Sequence, residues 1–161
     1  MTRNLILRRL VLAVSHLATL LLGVALGVYF LPIVTAPDAP TSAEVQSQPH
    51  IYRAQFRRDL KDSDALHWGD GTVFVAPRSI GLQGEISPGP DYKLYLSPRF
   101  VETEADFLRL KSSMVRVGDV KTFKNFAVPV PEHIDIERYD TVVVWCETFR
   151  QFITAAQYKR L

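Results

Sequence analysis

From Leu10 to Val34 the chain runs for 25 residues without an Asp, Glu, Lys or Arg. A helix of about 20 apolar residues crosses a bilayer, so the run is long enough even when counted only to Phe30. Arg3, Arg8 and Arg9 precede it and Pro37-Asp38 follows. The positive-inside bias then places residues 1–9 in the cytoplasm, residues 10–34 across the membrane as a signal-anchor, and everything after residue 35 on the far side. So short a layout suits a bacterial inner membrane with the domain on its periplasmic side. The competing reading is a cleaved signal peptide, since Val34-Thr35-Ala36 offers small residues for a cut. The apolar core of such a peptide is usually about 7–15 residues, and Pro37 directly after the cut opposes processing. Within the run His16 reads as a lone polar residue near the cytoplasmic interface. Gly23 and Gly27 form a small-residue pair of the kind that lets helices approach.

A chain of 161 residues has room for one domain and an appendage. Of its 19 basic residues, the three arginines before the apolar run leave 16 beyond it, against 17 acidic ones. The folded part is thus close to neutral and carries no basic footprint for nucleic acid. The single cysteine, Cys146, excludes an internal disulfide framework and any zinc site built from several thiolates. No Ser-His-Asp order, nucleotide-binding loop or carboxylate cluster with metal-ligand spacing is present. Asp62-Ser63-Asp64 lacks the following Gly and Glu of a calcium loop.

Residues 35–50 are rich in Pro, Ala, Ser and Gln and have no aromatic side chain. That composition predicts an extended flexible tether, with a reach on the order of 45 Å. The domain follows as residues 51–161. Alternation of Tyr52, Ala54 and Phe56 with polar residues predicts a half-exposed first strand. Further strands are expected at Thr72–Ala76, Ser79–Ile86, Tyr92–Ser97, Met114–Lys121 and Phe123–Val128, separated by Gly- and Pro-containing turns. One minor helix is expected after Thr103, where Phe107, Leu110 and Met114 recur at helical spacing. Seven to eight short strands with one helix predict an all-β sandwich or barrel behind a single transmembrane helix.

Thr141 to Trp145 are all β-branched or aromatic, which suits a strand buried on both faces. Side-chain alternation sets Val142, Val144 and Cys146 on one face, and Val143 and Trp145 on the other. The polar pair Glu147-Thr148 predicts a tight turn into a last strand from Phe149 to about Tyr158. Cys146 therefore stands where the core meets a loop. As a residue type it fits two roles: a small buried hydrophobe, or a reactive thiol in an electropositive, partly open setting. Arg150 is the basic residue nearest to it in sequence.

The order of these features resembles the DM-thirteen domain, the extracytoplasmic β-domain associated with Skeletor and DOMON proteins and called an electron-transfer domain. The matching pieces are His67-Trp68-Gly69-Asp70-Gly71, Asp91 to Ser97, Val117 to Lys121, and Pro129 to Phe152 with Trp145-Cys146 and Phe149. They span residues 51–158. Ile153-Thr154 departs from the glycine usual after the last phenylalanine. The resemblance implies a redox role through Cys146, as a bare thiol or as ligand to a prosthetic group such as haem. For such a site the expected cofactor contacts are Trp145, as part of an apolar cleft, and His67, with His133 the alternative second ligand; the redox role implies a protein redox partner. There is no Cys-x-x-Cys-His motif, which excludes covalent haem. Outside the resemblance, the alternative is a non-catalytic, membrane-tethered binding module in which Cys146 is structural.

Overall fold

The computed structural model describes residues 2–159, with side chains from Asn4. Met1, Arg160 and Leu161, the outer ends of the expected basic segment and β-domain, lie outside the described residues, as does the Arg3 side chain. Helix α1 occupies Thr2–Thr35, so Arg8, Arg9 and the apolar run form one continuous helix. From Asn4 to Thr35 it is long and apolar enough to cross a membrane, and its most apolar window is unburied. His16 turns its Nδ1 onto the Leu12 carbonyl one turn back, at 2.7 Å, which satisfies the ring within its own helix.

The segment expected to be a loose tether is packed instead. It contains helix α2 (Ser42–Ser47), started by a reciprocal capping box between Thr41 and Glu44. Val45 is buried against Gly81, where a Cβ would come within 2.9 Å of Val45 Cγ1. Asn125 Nδ2 donates to the Pro40 carbonyl at 3.0 Å, and Gln46 Nε2 to Gln83 Oε1 at 2.6 Å. His50 sets its ring edge against Phe74, 4.8 Å between centroids. Composition hid this because a single valine facing a glycine is enough to seat so short a helix once its N-terminus is capped.

Eight strands follow: β1 (Tyr52–Phe56), β2 (Gly69–Val75), β3 (Ser79–Ile86) and β4 (Tyr92–Ser97) in the first half. The second half supplies β5 (Val115–Val120), β6 (Lys124–Pro129), β7 (Thr141–Cys146) and β8 (Gln151–Gln157). They make two antiparallel sheets of four strands, ordered β1-β2-β3-β6 and β5-β4-β7-β8. This is the all-β sandwich expected from the spacing of apolar runs and turns. No ladder closes it into a barrel, although β1 approaches β8 and β5 approaches β6 at the two seams.

Alternation along the strands fills the space between the sheets. Val73 and Val75, Ile80 and Leu82, Leu94 and Leu96, and Val142 and Val144 all enter this core. β7 is buried along its whole length because its other face is covered as well. There helix α3 (Glu104–Leu110), capped by Thr103, brings Phe107 onto Val143 and Trp145. The Phe107 and Trp145 rings stack at 3.9 Å and 10°. The two-sided burial that the β-branched run demanded is thus met by the opposing sheet on one face and α3 on the other.

Candidate functional site

β7 ends at Cys146, which pairs with Tyr92 of β4 on one side and Gln151 of β8 on the other. The connecting turn takes four residues, Glu147–Arg150, and Arg150 sits in the left-handed region with φ 54°. Phe149, expected to begin the last strand, lies in this turn and is 52% exposed. Distant residues pin the turn, which is why local sequence gave it two residues too few. Glu147 N–H donates to the Asp91 carbonyl at 3.1 Å, and Thr148 Oγ1 to Asp91 Oδ2 at 3.2 Å. Lys93 Nζ holds the other Asp91 oxygen at 2.6 Å. On the opposite side the Glu147 carboxylate accepts Lys111 Nζ at 2.8 and 2.9 Å and the Tyr95 hydroxyl. Burial alone would raise the Glu147 pKa, but these bonds outweigh it and hold the carboxyl below its usual range.

Cys146 is 2% exposed and shares the inter-sheet face with Val142 and Val144, as alternation required. It forms part of the lining of a cleft of about 590 Å³, a size within the range of about 300–1,000 Å³ usual for ligand pockets. His67 and Leu66, from the loop before β2, line it together with Tyr92, Phe149 and Ile153. Pro88 to Pro90 supply another wall, and α1 closes one side with Ala25, Val28 and Tyr29. Burial pushes the thiol pKa up, while the backbone N–H groups of Phe149, Asp91 and Thr148 act against that rise.

Of the three residues expected at the site, the fold brings two together. His67 and Cys146 share the cleft although far apart in the chain. Trp145 does not reach it. The strand parity that puts Cys146 in the cleft sends Trp145 to the opposite face against Phe107, so its expected role as a cofactor contact is corrected. His67 is fixed by Asp64, whose carboxylate oxygens lie 3.1 and 3.0 Å from Nδ1. Asp64 Oδ1 also accepts the N–H groups of Leu66 and His67 at 2.7 and 2.8 Å. The His67 hydrogen bond is the main reason the Asp64 carboxyl lies below its usual range. Nε2 is left without a protein partner among the described residues. His50 instead accepts Arg53 Nε at 2.8 Å, and His133 does not line the cleft.

Residues 56–158 match the family described as electron transfer DM13. The chain belongs to that family. No curated protein and no solved structure matches the chain. The DM13 match begins at the end of β1 and runs just past β8, so it covers nearly the whole sandwich and leaves out α1 and the α2 segment. The departure at Ile153-Thr154 is a register shift in the β7–β8 ladder, where Val144 faces Thr154 but Trp145 faces Phe152. Ile153 is the extra residue, and it turns into the cleft.

The lining residues can be tested against a haem-type group. Among the described residues no three His, Cys, Asp or Glu side chains are grouped to hold a bare metal ion. A haem-type group would need less from the protein: one thiolate and one imidazole could hold it. Cys146, and His67 with Nδ1 on a carboxylate and Nε2 free among the described residues, have the donor chemistry of such ligands. The flanks are apolar, and among the described residues no Lys or Arg lines the cleft. Sequence reasoning did not find Asp64, Asp91, Lys111 or Glu147, because each acts through a partner that only the fold supplies.

Proposed function

We propose that this DM13 chain is a membrane-anchored electron-transfer domain, working outside the cytoplasm, whose redox group is held at Cys146. The observation that carries the reading is the convergence of the only cysteine with the Asp64-oriented His67 on one apolar cleft. An iron porphyrin, when bound, supplies a one-electron change whose potential follows its axial ligands and surroundings. The chain's own residues do the rest. Cys146 would hold the group through its sulphur, and to do so it would have to lose a proton that burial favours keeping. Asp64 fixes the tautomer and direction of His67. Tyr92, Ile153 and Pro88 keep water from the sulphur. Arg8 and Arg9 at the start of the apolar helix favour an N-terminus in the cytoplasm, which leaves the sandwich on the periplasmic side of a bacterial inner membrane.

The test is an absorbance spectrum of the full chain, exported to an oxidising compartment with haem available, before and after reduction, beside Cys146→Ser and His67→Ala. A Soret band that moves on reduction and is lost or displaced in Cys146→Ser is expected. A colourless folded protein overturns the haem reading, and thiol labelling then separates two outcomes. Rapid labelling leaves a thiol-based redox role, and labelling only on unfolding leaves a tethered binding module with a structural cysteine.

A further inference from the structure

We infer that the cleft end of the sandwich rests against the bilayer, with Leu66 and Phe149 inserted into its interfacial zone. The inference depends on the reading of α1 as the anchor. Counted from Leu10, about 20 residues at a rise of about 1.5 Å cover the hydrocarbon core and end near Tyr29, and the apolar run continues to Val34, so Ala25 to Tyr29 lie in the last turns before the helix leaves the lipid. Ala25, Val28 and Tyr29 are the α1 residues that line the cleft. The cleft mouth therefore lies at the level where the helix leaves the lipid, and Tyr29 is the side-chain type that favours that level.

The rim has the surface such a position requires. Leu66 is 61% exposed and Phe149 52%, and both line this one cleft. Asp64 and Arg150 are exposed nearby with opposite charges, so apolar insertion rather than attraction to anionic lipid supplies the contact. The α2 segment sets the orientation. Thr35 and Pro37 lie beside Pro90 and Phe123 at the cleft end, Val45 docks on Gly81 midway, and Gln48 lies beside Arg78 at the far end. The chain climbs the first sheet from the membrane and enters β1 from the distal end. A domain strapped in this way does not swing on a leash; its cleft is held against the membrane.

The experiment uses the full chain in phosphatidylcholine vesicles with brominated acyl chains, which quench tryptophan only at lipid depth. Phe149→Trp and, separately, Leu66→Trp are compared with Arg78→Trp at the opposite end, after subtraction of the parent's emission. Quenching of about twofold for the two rim positions, with none at residue 78, is the expected result. Rim tryptophans left unquenched in a chain that still resists alkaline extraction overturn the inference alone. Release of the chain by alkaline extraction overturns the anchor reading beneath it.

Discussion

Cys146 occupies a buried position that favours its protonated form. Burial is the largest influence on its pKa and raises it, and the nearby amides only moderate the rise. A group whose folded pKa lies above its unfolded value contributes stability that is complete below the ordinary thiol pKa of about 8.5 and is lost as pH rises through the folded value. The denaturation midpoint of the parent is therefore expected to fall more between neutral and strongly alkaline pH than that of Cys146→Ala, measured by urea titration. Equal falls would mean that the thiol is solvated in the folded protein. The placement of this residue was legible in the sequence. The parity of Val142, Val144 and Cys146 against Val143 and Trp145 follows from strand geometry alone, and the fold obeys it. That parity also sends Trp145 to the opposite face, so it could not share a cleft with Cys146. The convergence of His67 was not legible, because no local rule brings the loop before β2 to the end of β7.

Among the elements, the turn Glu147–Arg150 determines what surrounds the sulphur. Its stability runs through Glu147, whose carboxyl is held below its usual range by Lys111 and Tyr95 despite burial. A depressed carboxyl contributes stability that is present above its unfolded pKa of about 4.3 and lost as pH falls through the folded value. Glu147→Gln should melt below the parent at neutral pH, and the gap should close below about pH 4. A gap constant from neutral to acid pH, in thermal melts, would assign the loss to packing and not to charge. On the far face of β7, Phe107→Ala removes the ring stacked on Trp145 and should cost about 3–5 kcal/mol by denaturant titration. α3 could be read from the sequence because its signals are local: a Thr103 cap, and Phe107, Leu110 and Met114 at helical spacing. The turn length could not, since Asp91 reaches it from the loop before β4 and Lys111 from the 3-10 turn after α3.

At the scale of the molecule, the link between α1 and the sandwich decides whether the domain roams or is held. On the anchor reading, a tether of this length would let it range on the order of 45 Å from the membrane, whereas a docked α2 segment would fix both its distance and its facing. The docking turns on Gly81, the one position on that path where a missing side chain admits Val45. Gly81→Val favours the strand by propensity but occupies the space that Val45 fills. It should release the segment, forfeiting about 1.5–3 kcal/mol of apolar burial at Val45 while β1 to β8 stay paired. Limited proteolysis of the membrane-bound chain reads this directly: cleavage within residues 36–50 should be slow in the parent and fast in Gly81→Val, with the sandwich resistant in both. Rapid cleavage of the parent would mean that the segment is undocked in solution, and the domain would then meet its partners at the end of a leash.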